Sequence, residues 1–182
     1  MKKIVITYGL ISAGISAIMW TCIALLMRNG SFDHGMVVGY TSMLLSIFVI
    51  YFAMKNYREN VAGGTIKFGK ALLIGLYISI IFAVCYVITW MILRQTLLPD
   101  FVDNYIAYEK KGLQQAGLSP EVMSKKVAEI EEMKAMFSNP WMEALMVFTE
   151  PWPVAILVTL VSAFIVSRKR KQENSGDPLH AL

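Results

Sequence analysis

Three stretches of the chain, Ile4 to Met27, Gly35 to Met54 and Ala71 to Leu93, contain no charged residue at all. At about 1.5 Å of rise per residue they make helices of about 36, 30 and 34 Å, each enough to cross a hydrocarbon core of ~30 Å. A water-soluble domain carries about a quarter of its residues charged and scatters them along the chain. Here 16% are charged, crowded between the apolar runs, and 56% of the 182 residues are hydrophobic. That pattern excludes a single water-soluble core and predicts an all-α integral membrane protein. With no Pro/Gly/Ser-rich linker and no repeat, residues 1–182 read as one membrane domain. Lys2 and Lys3 before the first run imitate a secretory signal. The run is far longer than an h-region and has no polar cleavage segment after it, so 4–27 is expected to stay as the first span. Cys22 and Cys85 fall inside predicted spans, where a thiol behaves as a small apolar group.

The next spans are 35–54 and 71–93, and a fourth is required. The apolar run Val154 to Val166 supplies only about 20 Å of helix, so a crossing over about 147–167 must recruit the turns holding Glu150, Pro151, Trp152 and Pro153. The Val, Ile, Leu and Phe side chains of the run contribute roughly −3 to −5 kcal/mol to insertion, against about +3 kcal/mol for a central carboxylate and less for a shallow one. The segment should therefore insert. Pro151 and Pro153 remove backbone donors, which predicts a kink or loosened turn whose freed carbonyls face protein or water.

Lysine and arginine set the expected orientation. Lys2 and Lys3, then Lys55, Arg58, Lys67 and Lys70, then the tail 168–182 with Arg168, Lys169, Arg170 and Lys171, share one side if there are four spans. Arg28 and a long segment in which Asp100, Asp103, Glu109, Glu121, Glu129, Glu131 and Glu132 offset the basic residues share the other. The positive-inside rule makes both ends cytoplasmic. Trp20, Trp90, Trp141 and Trp152 would mark the outer interface, and Tyr8, Tyr51 and Tyr57 the inner one.

The outer insertion, about 95–140, reads as a helical hairpin. Phe101, Tyr105 and Tyr108 recur at helical spacing, and Gly112, Gly117 and Ser119-Pro120 interrupt them. Ser119 is a good N-cap with Pro120 behind it, and Met123, Val127, Ile130, Met133 and Phe137 form one stripe up to the stop at Asn139-Pro140. Such a pair would lie on the membrane, cap the bundle, or pack on a partner protein. Within the bilayer, small residues supply the packing seams: Gly9, Ala13 and Ala17; Gly35, Gly39, Ser42 and Ser46; Gly75, Ser79 and Ala83. These seams serve a packed monomer or a homo-oligomer, and the oligomeric state stays open.

Few residues invite a chemical reading. Gly64 to Lys70 matches G-x-x-x-x-G-K, but Ala71 stands where a phosphate-binding loop needs Ser or Thr, and no strand precedes it. It is expected to be a turn. The basic clusters could grip anionic lipid headgroups, although topology alone demands them. His34 and His180 have no second ligand at metal spacing. Glu150, with Pro151 and Pro153, is the candidate polar site, either a protonatable or cation-binding group at a broken helix or a solvated boundary carboxylate, the latter preferred. Glu143 lies on nearly the same face and is expected in water.

The order of Gly39-Tyr-Thr-Ser-Met-Leu, Lys55-Asn-Tyr-Arg, Gly63-Gly-Thr-Ile-Lys-Phe-Gly-Lys-Ala, Tyr86-Val-Ile-Thr-Trp, Phe101-Val-Asp-Asn-Tyr, Asn139-Pro, Glu150-Pro-Trp-Pro-Val and Leu160-Val-Ser-Ala-Phe resembles an uncharacterised bacterial family, domain of unknown function 4199. The resemblance spans nearly the whole chain and implies four spans with an outer insertion before the last, without implying an activity. Three function classes follow, in order of preference. The first is a non-enzymatic structural or partner-binding envelope component, meeting the lipid bilayer and a protein partner through the outer hairpin. The second is a small transporter or channel subunit centred on Glu150. The third, a lipid-directed enzyme, lacks a nucleophile and base or a metal-ligand set. No cofactor, metal or nucleic-acid partner is expected.

Overall fold

The computed structural model describes residues 1–27 and 35–168, and all regular structure among them is α-helical. The helices are α1 Lys2–Met27, α2 Gly35–Ile47, α3 Val49–Asn60, α4 Phe68–Thr96, α5 Phe101–Gln115, α6 Pro120–Phe137, α7 Pro140–Thr149 and α8 Trp152–Ser167. Arg28, His34, His180 and the basic residues Lys169, Arg170 and Lys171 lie outside the described residues. Four lengths of helix are long and apolar enough to cross a membrane: Lys2–Met27, Val37–Asn60, Phe68–Thr96 and Pro140–Ser167. The second is α2 followed by α3, and the fourth is α7 followed by α8.

The polarity of the bundle suits lipid. Ile18, Leu26, Val37 and Leu157 are 68%, 64%, 68% and 62% exposed, whereas Ser12, Ser42, Ser46, Ser79 and Ser162 are buried. In water so much exposed apolar surface would drive association, but in a bilayer it faces a solvent of its own kind. Several of these hydroxyls bond within the helices or between them: Ser46 donates to the Ser42 carbonyl, Ser79 to that of Gly75, and Ser12 reaches across from α1 to the Ser46 carbonyl. That last bond accompanies the turn at Phe48 that separates α2 from α3 without any Gly or Pro. There the Tyr51 N–H bonds to the Phe48 carbonyl, 3.1 Å away, and a foreign donor in the i→i−4 ladder is a known cause of such breaks.

The predicted seams are used inside the chain. A Cβ on Gly9 would sit 2.9 Å from Ile81 Cγ2, and one on Gly75 would sit 2.5 Å from Thr159 Cγ2 and 2.6 Å from Met54 Cε. These glycines let α1 and α4, and α4 with α3 and α8, approach backbone to side chain. Gly39 differs, with open space where its Cβ would be. Around α4 the fully buried Ile47, Ile50, Met54, Ile74, Ile78 and Phe82 form one core with Ala155, Ala163 and Val166 of α8.

One end of the bundle is polar. Asn56 Nδ2 donates to Tyr8 Oη at 3.0 Å, and Arg58 Nη1 donates to the Val166 carbonyl at 3.2 Å, satisfying one of the orphan acceptors that end α8. The start of α1 and the ends of α3 and α8 therefore meet there. Gly63 and Gly64, at φ +65° and +90°, turn the chain from α3 into α4. The G-x-x-x-x-G-K match is thus a helix–helix turn, with helix rather than strand before it.

At the opposite end, α5 and α6 pack on one another, linked by Lys110–Glu131 and by Lys134–Asp103 at 3.1 Å. Ser119 caps α6 by accepting from the Val122 N–H, and Asn139 caps α7 with Oδ1 accepting from Trp141 and Met142. Both are followed by proline at the first helical position. Ile130 is buried, while Phe101 and Phe137 pack against the main core, so the apolar faces of α5 and α6 cap the bundle end.

Candidate functional site

Tyr86, Trp90 and Arg94 follow one another at four-residue spacing on α4, hence along a single face. Glu143 and Glu150, seven residues apart, face that stripe from α7 and its end. Trp90 Nε1 donates to Glu143 Oε1 at 2.8 Å, and Tyr86 Oη donates to Glu150 Oε2 at 3.2 Å. Arg94 Nε lies 3.4 Å from Glu143 Oε1 as an ion pair without hydrogen-bond geometry, while Nη1 of the same guanidinium donates to the Pro99 carbonyl at 2.7 Å.

The structure corrects the expectation that Glu143 sits in water. Glu143 is only 4% exposed. The reason lies in where the fourth helix begins: Pro140 opens α7, so the first turn of that helix, with Glu143 in it, already lies against α4. There the indole N–H, the guanidinium and the positive end of the α7 dipole replace the lost hydration.

Glu150 ends α7. Its N–H bonds to the Met146 carbonyl at 3.1 Å, and the Ala155 N–H bonds to the Pro151 carbonyl at 2.8 Å. Between these bonds Glu150 and Pro151 keep right-handed backbone angles, φ −54°, ψ −47° and φ −75°, ψ −12°. The expected loosened turn is therefore a gap in the hydrogen-bond ladder along one continuing span. Pro151 and Pro153 contribute it by removing the donors that the Val147 and Thr149 carbonyls would otherwise meet. Pro151 itself is buried, whereas Glu150 is exposed.

What Glu150 is exposed to is a groove of about 340 Å³ between α1, α2, α4, α5, α6 and α7. Its walls are aromatic. Trp20 meets Trp90 edge to face with ring centroids 5.3 Å apart, Trp90 meets Phe101 at 5.1 Å in the same manner, and Phe101 stacks on Tyr105 at 5.9 Å. Tyr40, Met133, Phe137, Met146 and Val147 complete it, with Glu150 the one carboxylate lining it. Burial, and then a hydrogen bond with Glu109, push the Tyr105 phenol up to about 12, so it stays a neutral donor at physiological pH. Beneath Glu150, Tyr86 stacks on the fully buried Phe82 at 5.7 Å, and the packed core follows.

Sequence reasoning singled out Glu150, Pro151 and Pro153 and missed Tyr86, Trp90, Arg94 and the pairing of Glu143. The signal was present in the i, i+4, i+8 stripe of polar-tipped side chains on α4, opposite two carboxylates at i, i+7. Of the four tryptophans expected at one interface, Trp20 and Trp90 line the groove, Trp152 flanks the helix gap, and Trp141 is 86% exposed at the start of α7. Among the described residues no group of three or more His, Cys, Asp or Glu could hold a metal ion.

The model of a protein family described as "Protein of unknown function (DUF4199)" matches residues 7–168. No curated protein and no solved structure matches the chain.

Proposed function

The chain belongs to the DUF4199 family of proteins of unknown function, and from that premise we propose that it is a non-enzymatic membrane component that binds at its groove and conducts nothing. One observation carries this reading. Behind Glu150, the buried Tyr86 and Phe82 are followed along the bundle by Ile78, Ile74 and Met54, all without exposure, and this close packing supports an interior closed to passage past Glu150. The groove lining is mostly aromatic and aliphatic, which supports a binding role.

In this reading both ends of the chain face the cytoplasm of a bacterial cell, in its inner membrane. The meeting of α1, α3 and α8 beside Tyr8, Arg58 and Val166, on the side where the basic loops cluster, supports it. Helices α5 and α6 form an outer hairpin, supported by their two ion pairs and by the closure of their apolar faces on the groove. Exposed apolar side chains on that hairpin, Leu118, Val122 and Met136, offer contact to a protein partner.

The second reading, a small transporter or channel subunit using Glu150, draws on a carboxylate at a helix gap beside a cavity. Flux through proteoliposomes separates the two. Vesicles holding the native chain should pass protons, sodium and potassium no faster than protein-free vesicles. A flux that falls in Glu150→Gln would establish the transporter reading instead.

A further inference from the structure

The two carboxylates on the α4 face differ in how they are compensated. Glu143 has an indole donor, a guanidinium at 3.4 Å and a helix N-terminus. Glu150 has the Tyr86 phenol at 3.2 Å, and among the described residues no Lys or Arg forms an ion pair with it. An ionised group at membrane depth is expensive unless something offsets its charge. Glu150 opens onto a groove whose walls present the rings of Trp20, Trp90, Phe101 and Tyr105. Aromatic faces attract cations through their quadrupole, and a carboxylate beside them without a cationic partner favours positive charge further. Dimension and donor chemistry decide which cation. A hard metal ion needs about six or more oxygen ligands, and the groove lining offers one carboxylate and the phenols of Tyr40 and Tyr105. A volume of about 340 Å³ lined by rings suits an organic cation.

Resting on the reading of the groove as a binding site, we propose that it takes a substituted ammonium group, with Glu150 as counter-ion and Trp20 and Trp90 as the walls of its cage. Either of two sources supplies that chemistry: a free amine from the outer aqueous phase, or the amine headgroup of a phospholipid reaching in from the adjoining leaflet.

The test uses the full chain in a maltoside detergent, which carries no ammonium, and reads tryptophan fluorescence while choline is added. A saturable change is expected. It should be on the order of tenfold weaker for 3,3-dimethylbutan-1-ol, the uncharged isostere of choline, and weaker to a similar degree in Glu150→Gln. Equal responses to choline and its isostere, an unchanged response in Glu150→Gln, or no saturable response would each overturn the proposal. Because Glu150→Gln can disturb packing, Trp20→Phe serves as a second variant. It keeps the carboxylate and should weaken choline binding, and unaltered binding would count against the cage. Nanodiscs then identify the source. If phosphatidylethanolamine abolishes the choline response that phosphatidylglycerol preserves, the headgroup is the ligand; if both preserve it, a free amine is. Failure of every binding arm would overturn the proposal while leaving the non-conducting reading standing, and flux would overturn that reading whether or not choline binds.

Discussion

Gly75 and Gly39 look alike in the sequence, both small residues in predicted seams, and the structure separates them. Gly75→Ala drives a methyl into Thr159 and Met54 at 2.5 and 2.6 Å, whereas Gly39→Ala meets nothing within 4 Å. Overpacking of this kind costs about 1–3 kcal/mol. SDS titration of the micelle-solubilised protein should show a loss in that range for Gly75→Ala and no measurable loss for Gly39→Ala. Glu143 carries the second prediction at single side chains. Removing it in Glu143→Ala leaves the Trp90 indole N–H without its acceptor and Arg94 without its counter-charge, a loss of about 3 kcal/mol for a buried pair. Glu143→Gln keeps an acceptor for the indole and should lose less in the same titration. Hydropathy treated Glu143 as a lone carboxylate. Its partners lie on α4, with Trp90 separated from it by 53 positions, and one-dimensional patterning does not see such a pairing.

Helix ends were the most legible elements, because their signals are local. Ser119-Pro120 and Asn139-Pro140 each place a side-chain acceptor ahead of a proline; the first starts α6 where expected, and the second, expected only as a stop, also starts α7 ahead of the expected fourth span. The turn at Phe48 was invisible, since it accompanies a hydroxyl from another helix rather than a residue of its own segment. The α5–α6 pair gives a pH prediction. Hydrogen bonding from Lys110, and then its charge, holds Glu131 below the ordinary value of 4.5, and Lys126 does the same to Glu129. Carboxylates depressed in the folded state add stability that is present above the unfolded value and lost as the pH falls through the folded one. Amide exchange in α6, corrected for intrinsic rates, should therefore be flat at neutral pH and rise only as the pH drops below 4.5. A rise starting near neutrality would mean that other groups hold the pair. Both carboxylates are exposed, so salt should blunt the effect.

Three of the four apolar lengths rest on long charge-free runs and the fourth on the apolar run Val154 to Val166, and for that reason the class of the molecule was the clearest thing in its sequence. The groove was not legible. It arises where α5 and α6 close over the ends of four other helices, and Glu150 gains its setting from Trp20, Tyr40 and Trp90, all distant along the chain. A four-span bundle requires its two ends on one side and its capping helices on the other. The direct measurement is labelling by a membrane-impermeant thiol reagent in intact cells of an expression host, with Cys22 and Cys85 replaced and single cysteines introduced as Lys3→Cys, Lys125→Cys and Ser175→Cys. The account predicts that Lys125→Cys labels in intact cells, while Lys3→Cys and Ser175→Cys label only after the membrane is permeabilised. If the two end positions label from opposite sides, the four-span account is wrong.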